Sequence, residues 1–473
     1  MNNRSDQLLK RLGAAALVAP LVMFVVVMAF PAWDPQIMAR DFHFYVVSLT
    51  ALAAAVACAA LIASASTLRH TRLLFLAVGF FAIAGVFSVH GLATPGVFLD
   101  SYAASVSVSA WLSAAAGATC IALSVVGLPP RLERLLDRGG QAVFAVAAVA
   151  IVGYIGLSMT ATAWLDWAPI DRESVRWTLT VAVLGITAFA AWRYFQSYLF
   201  ARLPAQLAMV ATLVLLMEVQ TVIMWGRVWH LSWWLYHAVY AAAFAVLFAG
   251  WWIEARRAGT LRAIADALSM RDALAQLDRG LEAPIVELVD AVEAKDLATF
   301  GHVRRVSSLA LEIGRRLNLS AGQLRAVALA AEMHDVGKIS VPNSILAKPG
   351  PLTAEEFDEI KRHTTRGEEI ASRVGALREL AGAIRHHHER IDGSGYPDGL
   401  RGDEIPLVSR IVAVADTYDA ITSKRPYRNG RTHAEAVEEI TRLRGIEFDE
   451  RCVDAFLIVV RETDALDRER VAA

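Results

Sequence analysis

Seven side chains in the C-terminal part of this 473-residue sequence have the chemistry of metal ligands: His302, His334, Asp335, His363, His387, His388 and Asp416. Neutral imidazoles and carboxylates together suit iron, manganese, zinc or nickel, and the lack of cysteine ligands disfavours a structural zinc site. Each falls on the inward side of its segment. His302 keeps step with Val306, Leu309, Ile313 and Leu317, His363 follows Phe357 and Ile360 at intervals of three, and Asp416 follows Val412 by four. His334 and Asp335 end the apolar run 324–333 just before Gly337, where adjacent side chains about 100° apart can both reach a centre at the helix end. One inward histidine is an ordinary core residue. Seven such ligands, with no evident cationic partner for the two carboxylates, are hard to satisfy without a cation. They exceed what one metal needs. A two-metal centre follows, with Asp335 as its bridge, and such centres activate a water and stabilise both oxygens of a phosphoryl displacement.

The ligands also come in an ordered set of motifs. His334-Asp335-Val336-Gly337-Lys338 is followed by His387-His388-Glu389-Arg390-Ile391-Asp392-Gly393-Ser394-Gly395-Tyr396-Pro397. Around them stand Glu293-Ala294-Lys295-Asp296, Gly301-His302, a Lys-Pro-Gly-Pro-Leu-Thr turn at 348–353, Ala415-Asp416-Thr417-Tyr418-Asp419-Ala420 and Arg425-Pro426-Tyr427-Arg428. From about 286 to 460 the sequence resembles the HD-GYP domain, a branch of the HD metal-dependent phosphohydrolases. The resemblance implies hydrolysis of cyclic di-GMP to linear pGpG or onward to GMP, with two divalent metals, iron or manganese. It makes His302, His334, Asp335 and Asp416 the shell of one metal and Asp335, His363 and His387 that of the second, with His388 joining the second or facing the phosphate. Lys338 would meet a phosphate oxygen and stabilise developing charge. Gly395, Tyr396 and Pro397 lie in a glycine-rich loop whose backbone can approach a substrate closely, and Arg425 and Arg428 match positions that hold the second phosphate and a guanine. Two departures stand out. Ile391 replaces a commonly aromatic residue, and Ala298, four before His302, stands where some members carry a glutamate for a third metal.

Helices must position these groups. Ser320 with Gln323, Thr353 with Glu356 and Thr432 with Glu435 each read as a capping box, and no alternating strand pattern longer than a few residues appears, so the domain is expected to be all-helical. Before it, 254–296 is charged and alanine-rich, with Leu261, Ile264, Leu268, Met270, Leu274, Leu277 and Leu281 at helical spacing, broken once between Leu268 and Met270. Pro284 is placed to open a new helix carrying Ile285, Leu288 and Val292. The segment reads either as an amphipathic helix resting on its own domain or as a two-chain coiled coil whose broken register allows movement.

The first 253 residues carry only 14 basic and 10 acidic side chains, against 32 and 37 in the rest. A stretch that long with so few charges cannot cover itself with a solvated surface, since soluble domains carry about 25% charged residues. Eight apolar runs of spanning length can be drawn, at 12–30, 44–64, 73–90, 103–127, 141–160, 177–192, 205–225 and 231–253. Basic residues cluster on one side, at Arg4, Lys10 and Arg11, Arg69 and Arg72, Arg131, Arg134 and Arg138, Arg193 and Arg202, and Arg256 and Arg257. This places both termini in the cytoplasm. Glu218 falls inside the seventh run, while His43, His90, His230 and His237 fall toward the outer level with Trp164, Trp167, Trp225, Trp229, Trp233 and Trp234. These histidines form either part of an interfacial aromatic belt or an outward-facing pocket for a ligand, metal or protons. Cys58, Cys120 and Cys452 are too few and too scattered for a disulfide framework.

The expected architecture is all-α: an eight-helix transmembrane bundle at 1–253, a helical signalling linker at 254–285, and an all-helical HD-type phosphohydrolase domain at 286–473. The expected activity is that of a phosphodiesterase anchored in the bacterial cytoplasmic membrane and set by its membrane half. Its expected partners are cyclic di-GMP, the lipid bilayer and a second copy joined through the linker. The net charge of −5 in the soluble half argues against a nucleic-acid polymer. A scaffold that binds the cyclic dinucleotide without hydrolysing it would lack ligands, and none is lost. A transporter would show paired broken spans, and none is clear.

Overall fold

The computed structural model describes residues 3–64, 70–100, 103–269, 277, 283–295, 301–348, 350–375, 377–423 and 430–471. They fall into two compact units, one of Met1–Tyr198 with Arg202–Arg271, the other of Leu199–Ala201 with Asp272–Ala473. Among the described residues the regular elements are helices, and the only β pairings are isolated bridges.

The first unit holds α1 (Asn3–Ala29), α2 (Arg40–Ser64), α3 (Thr71–Leu92), α4 (Ala104–Val125), α5 (Pro130–Thr160), α6 (Glu173–Ala201), α7 (Pro204–Trp225), α8 (Leu231–Ala258) and α9 (Arg262–Ser269). Seven of these, α2 to α8, are long and apolar enough to cross a membrane. The first of the eight expected runs is the apolar part of α1, a shorter stretch at Ala15–Ala29. α3 sits at the centre against α2, α4 and α5. The outer faces are apolar too: Val146, Val149 and Val152 on α5 and Val181 on α6 are each more than 60% exposed, a surface suited to lipid rather than water.

Two expectations change. The fifth and sixth runs are the middles of longer helices, so Arg131, Arg134, Arg138 and Arg193 lie on helical turns rather than in loops. The added turns of α5 are held by a long-range contact: Asp137 accepts bonds from the Thr71 backbone N–H at 2.8 Å and hydroxyl at 2.7 Å, satisfying the start of α3. The second change concerns the linker. α9 packs against α2, α3, α7 and α8; Ile264 and Leu268 are buried there, and the Gln206 amide donates to the Ala267 carbonyl at 3.0 Å. That part of the seam rests on its own unit. Met270, Leu274 and Leu281 lie outside the described residues, as does Ala298.

The second unit holds α10 (Ala283–Lys295), α11 (His302–Arg316), α12 (Ala321–Met333), α13 (Asn343–Leu346), α14 (Ala354–Lys361), α15 (His363–Arg373), α16 (Ala381–Arg385), α17 (Leu407–Thr422), α18 (His433–Arg442) and α19 (Glu450–Val471). All three capping boxes form as read. α11 packs on α12, α17 and α19 around Val306, Ile313, Val327, Ile411, Val412 and Phe456. This apolar bundle is the platform on which the ligands stand, mostly at helix ends.

Candidate metal centre

His302 opens α11, His334 and Asp335 follow the last turn of α12, His363 opens α15, His387 and His388 follow α16, and Asp416 lies on α17. Helix termini let side chains from five directions converge without threading through a packed helix face. Phe357 does not share a helix face with His363 as its spacing implied: α14 ends at Lys361, a new helix begins at His363, and Phe357 is exposed. Gly337 makes the close approach possible. A Cβ there would lie 1.9 Å from the His363 carbonyl oxygen, so only glycine lets the turn after Asp335 seat on α15.

The three central histidines are oriented by one repeated device. His334 Nδ1 lies 2.7 Å from the Ala331 carbonyl, His363 Nδ1 2.7 Å from that of Ile360, and His387 Nδ1 2.7 Å from that of Ile384. A carbonyl only accepts, so each Nδ1 carries a proton and each Nε2 is the nitrogen turned toward the centre. His302 is held differently, its Nδ1 2.7 Å from Asp419 Oδ2. Arg305 in turn donates to Asp419 at 2.5 and 3.0 Å. Burial alone would raise the Asp419 carboxyl, but bonds from His302 and Arg305 hold it below the usual carboxylate range.

Asp335 stands between two groups. Its Oδ2 is 3.3 Å from His334 Nε2 and 2.6 Å from Lys338 Nζ, while its Oδ1 is 3.5 Å from His363 Nε2. Asp416 Oδ1 is 3.4 Å from His302 Nε2 and 4.0 Å from His334 Nε2. On the other side His363 and His387 bring their Nε2 atoms to 3.3 Å, and His388 joins them in a cluster of ligand size. The residues thus form two neighbouring sets, His302, His334 and Asp335 in one and His363, His387 and His388 in the other.

The electrostatics match divalent cations. Burial opposes charge on His334, yet Asp335 and Asp416 push its pKa up to about 9, so this spot between carboxylates favours positive charge. Burial lowers His388 to about 4 and pushes His387 and His363 below the ordinary range, leaving neutral donors. Burial by itself would raise the Asp335 carboxyl, but Lys338, His334 and His363 hold it well down.

The glycine-rich loop folds over this centre. Tyr396 lies with its ring 4.9 Å from that of His388. A Cβ on Gly395 would come 2.4 Å from the Arg390 backbone nitrogen, which explains the glycine. Sequence reasoning missed the group that shapes the loop: buried Glu389 accepts from the backbone nitrogens of Asp398 at 2.7 Å and of Gly399 and Leu400 at 3.1 Å. It missed Asp419 as well, although the spacing of three from Asp416 on one helix was visible. Arg425 and Arg428 lie outside the described residues.

Residues 288–452 match the HD domain family. Over 177 residues, 36% of this chain, the sequence is 46% identical to the cyclic di-GMP phosphodiesterase response regulator RpfG of Xanthomonas campestris pv. campestris, covering 46% of that protein. It is 43% identical over 190 residues, 39% of this chain, to a cyclic di-GMP phosphodiesterase of Thermotoga maritima, covering 52% of it. A 3'3'-cGAMP-specific phosphodiesterase 2 of Vibrio cholerae is 36% identical over 178 residues, 37% of this chain and 34% of that protein. The chain thus spans about half or less of the length of these relatives, and the family match lies within the second unit. With its paired histidine and aspartate clusters and its Gly-Tyr-Pro loop, the segment 288–452 is similar to the HD domain family and to these phosphodiesterases.

Proposed function

We propose that the second unit hydrolyses a phosphodiester bond of cyclic di-GMP, releasing linear pGpG and in a slower step GMP. The observation that carries this reading is Asp335, whose two carboxylate oxygens face the two histidine sets. Two divalent cations, iron or manganese, supply an activated water and charge neutralisation when bound. His302, His334, Asp335 and Asp416 hold one of them, and Asp335, His363, His387 and His388 the other. Lys338, beside Asp335 and partly exposed, stabilises charge on a phosphate oxygen. Gly395, Tyr396 and Pro397 form a wall for the nucleotide, while Arg425 and Arg428 hold the second phosphate and a guanine.

The first unit anchors the chain in the bacterial cytoplasmic membrane, with both termini in the cytoplasm, and sets the rate of the second. The apolar length of α2 to α8 supports the anchoring, and the one-sided basic residues support the orientation. A second copy is joined through the linker, in which Leu261 is exposed while Ile264 and Leu268 are buried.

The reading is tested on the second unit purified alone, assayed for manganese- and iron-dependent hydrolysis of cyclic di-GMP with 3'3'-cGAMP in parallel. Turnover of cyclic di-GMP supports it. Binding without turnover in a metal-loaded sample would instead make the domain a scaffold.

A further inference from the structure

A second group of histidines lies far from the HD motif in sequence and wholly within the first unit. His43 near the start of α2, His90 near the end of α3 and His237 near the start of α8 are 1%, 3% and 1% exposed. The Nε2 of His43 is 3.1 Å from that of His90 and 3.0 Å from that of His237. They are therefore not residues of an interfacial belt. His230, the fourth histidine at this level, instead turns its Nδ1 toward the Val228 carbonyl at 3.1 Å.

Their surroundings fix which nitrogen is bare. His90 Nδ1 is 2.7 Å from the Val106 carbonyl, which can only accept, so the proton sits on Nδ1 and Nε2 carries a lone pair. The Thr94 hydroxyl donates to the His90 carbonyl at 2.9 Å, which leaves its oxygen to accept from His43 Nδ1 at 3.0 Å. His43 Nε2 is bare as well. The Tyr236 hydroxyl donates to His90 Nε2 at 2.6 Å, and the Nε2 atoms of His90 and His237 converge on that of His43 in a buried place as the ligands of one cation do. Tetrahedral ligands bonded at 2.0–2.1 Å lie about 3.3 Å apart, close to the separations here. Orientation of ligating histidines through the far ring nitrogen is the usual support of a metal site.

We propose that His43, His90 and His237 bind a late first-row transition-metal cation, with a fourth position open to the adjoining cavity and filled by a small anion. That cavity, of about 380 Å³, is lined by His43 and His90 together with Tyr236, Trp229, Arg40 and Arg176. Among the described residues no carboxylate joins the histidine cluster, so charge balance favours either singly charged copper or zinc carrying an anion, which the two arginines would attract. Tyr236, with its hydroxyl 2.6 Å from His90 Nε2, stands at the open position. Ionisable groups inside a membrane bundle are costly and serve a purpose, and here they tie three spans together at one end.

The twelve tryptophans all precede Ile253, so their fluorescence reports on the first unit alone. The full-length chain in lipid nanodiscs, carrying His334→Ala and Asp335→Ala, is stripped with chelator and titrated with copper chloride while tryptophan emission is followed. The expected result is saturable quenching at about one equivalent, reversed by chelator, blocked by prior zinc if zinc is the occupant, and lost in His237→Gln and His90→Gln but kept in His230→Gln. Non-saturable quenching in the parent chain, or quenching unchanged by His237→Gln, would overturn the proposal. If the variants fail to fold, the parent decides: neither zinc nor copper raising its tryptophan-monitored unfolding temperature also overturns it. Because every tryptophan lies in the first unit and the His334 and Asp335 substitutions disable hydrolysis, this outcome is independent of whether the second unit is a phosphodiesterase.

Discussion

Asp419 Oδ2 lies 2.7 Å from His302 Nδ1, and this contact fixes the ring whose Nε2 faces Asp416. Asp419→Asn keeps the size but removes the charge that holds the imidazole. Such supporting partners are worth about 10–100-fold in metal affinity or activity. Manganese titration of the variant should show that weakening while the fold is retained. An affinity equal to wild type would mean that His302 does not serve as a ligand.

Replacing His334 and Asp335 together by alanine should abolish hydrolysis, because one set loses a terminal donor and both lose the shared carboxylate. The check is a timed assay on folded, metal-supplemented protein. Retention of more than about a tenth of the activity contradicts two-metal activation.

Gly337→Ala acts through shape. The new Cβ would press on the His363 carbonyl at 1.9 Å and on the Gly367 nitrogen at 2.7 Å, both backbone atoms that cannot turn aside. The expected loss is about 1–3 kcal/mol of stability together with a fall in activity as α15 shifts. Denaturant unfolding measures the first, and an unchanged midpoint would show that the turn is loosely seated.

The titration behaviour of the metal-free second unit follows from its histidines. Below pH 6.5 the unfolded chain binds protons that folded His388, His387 and His363 refuse, so stability rises with pH in that range. Above 6.5 folded His334 keeps its proton up to about 9 after the unfolded histidine has lost it, so stability then falls as pH rises. Chelator-treated protein should therefore unfold at its highest temperature near pH 6.5. A midpoint climbing steadily to pH 9 would contradict the charge assigned to His334.

Much of the second unit was legible because the signals for its elements are local. His334 and Asp335 end an apolar helix, the three capping boxes mark helix starts, and every ligand but His363 stands within a short motif. What escaped depends on contacts between distant segments. Glu389 binds a loop nine to eleven residues on, Arg305 reaches Asp419 across two helices, and the break at Arg362 separates Phe357 from His363 despite their even spacing. In the first unit the apolar windows marked the middles of the helices but not the charged turns that extend α5 and α6. The spacing of His43, His90 and His237 could not reveal that α2, α3 and α8 bring them together.

The central claim rests on metal-dependent turnover, and one measurement addresses it most directly: metal content and cyclic di-GMP hydrolysis determined on the same anaerobically purified sample of the second unit. The account predicts about two iron or manganese ions per chain, with pGpG accumulating before GMP and both metal and turnover lost on chelation. A fully loaded, folded sample that leaves cyclic di-GMP intact, or turnover that survives removal of the metals, would contradict it.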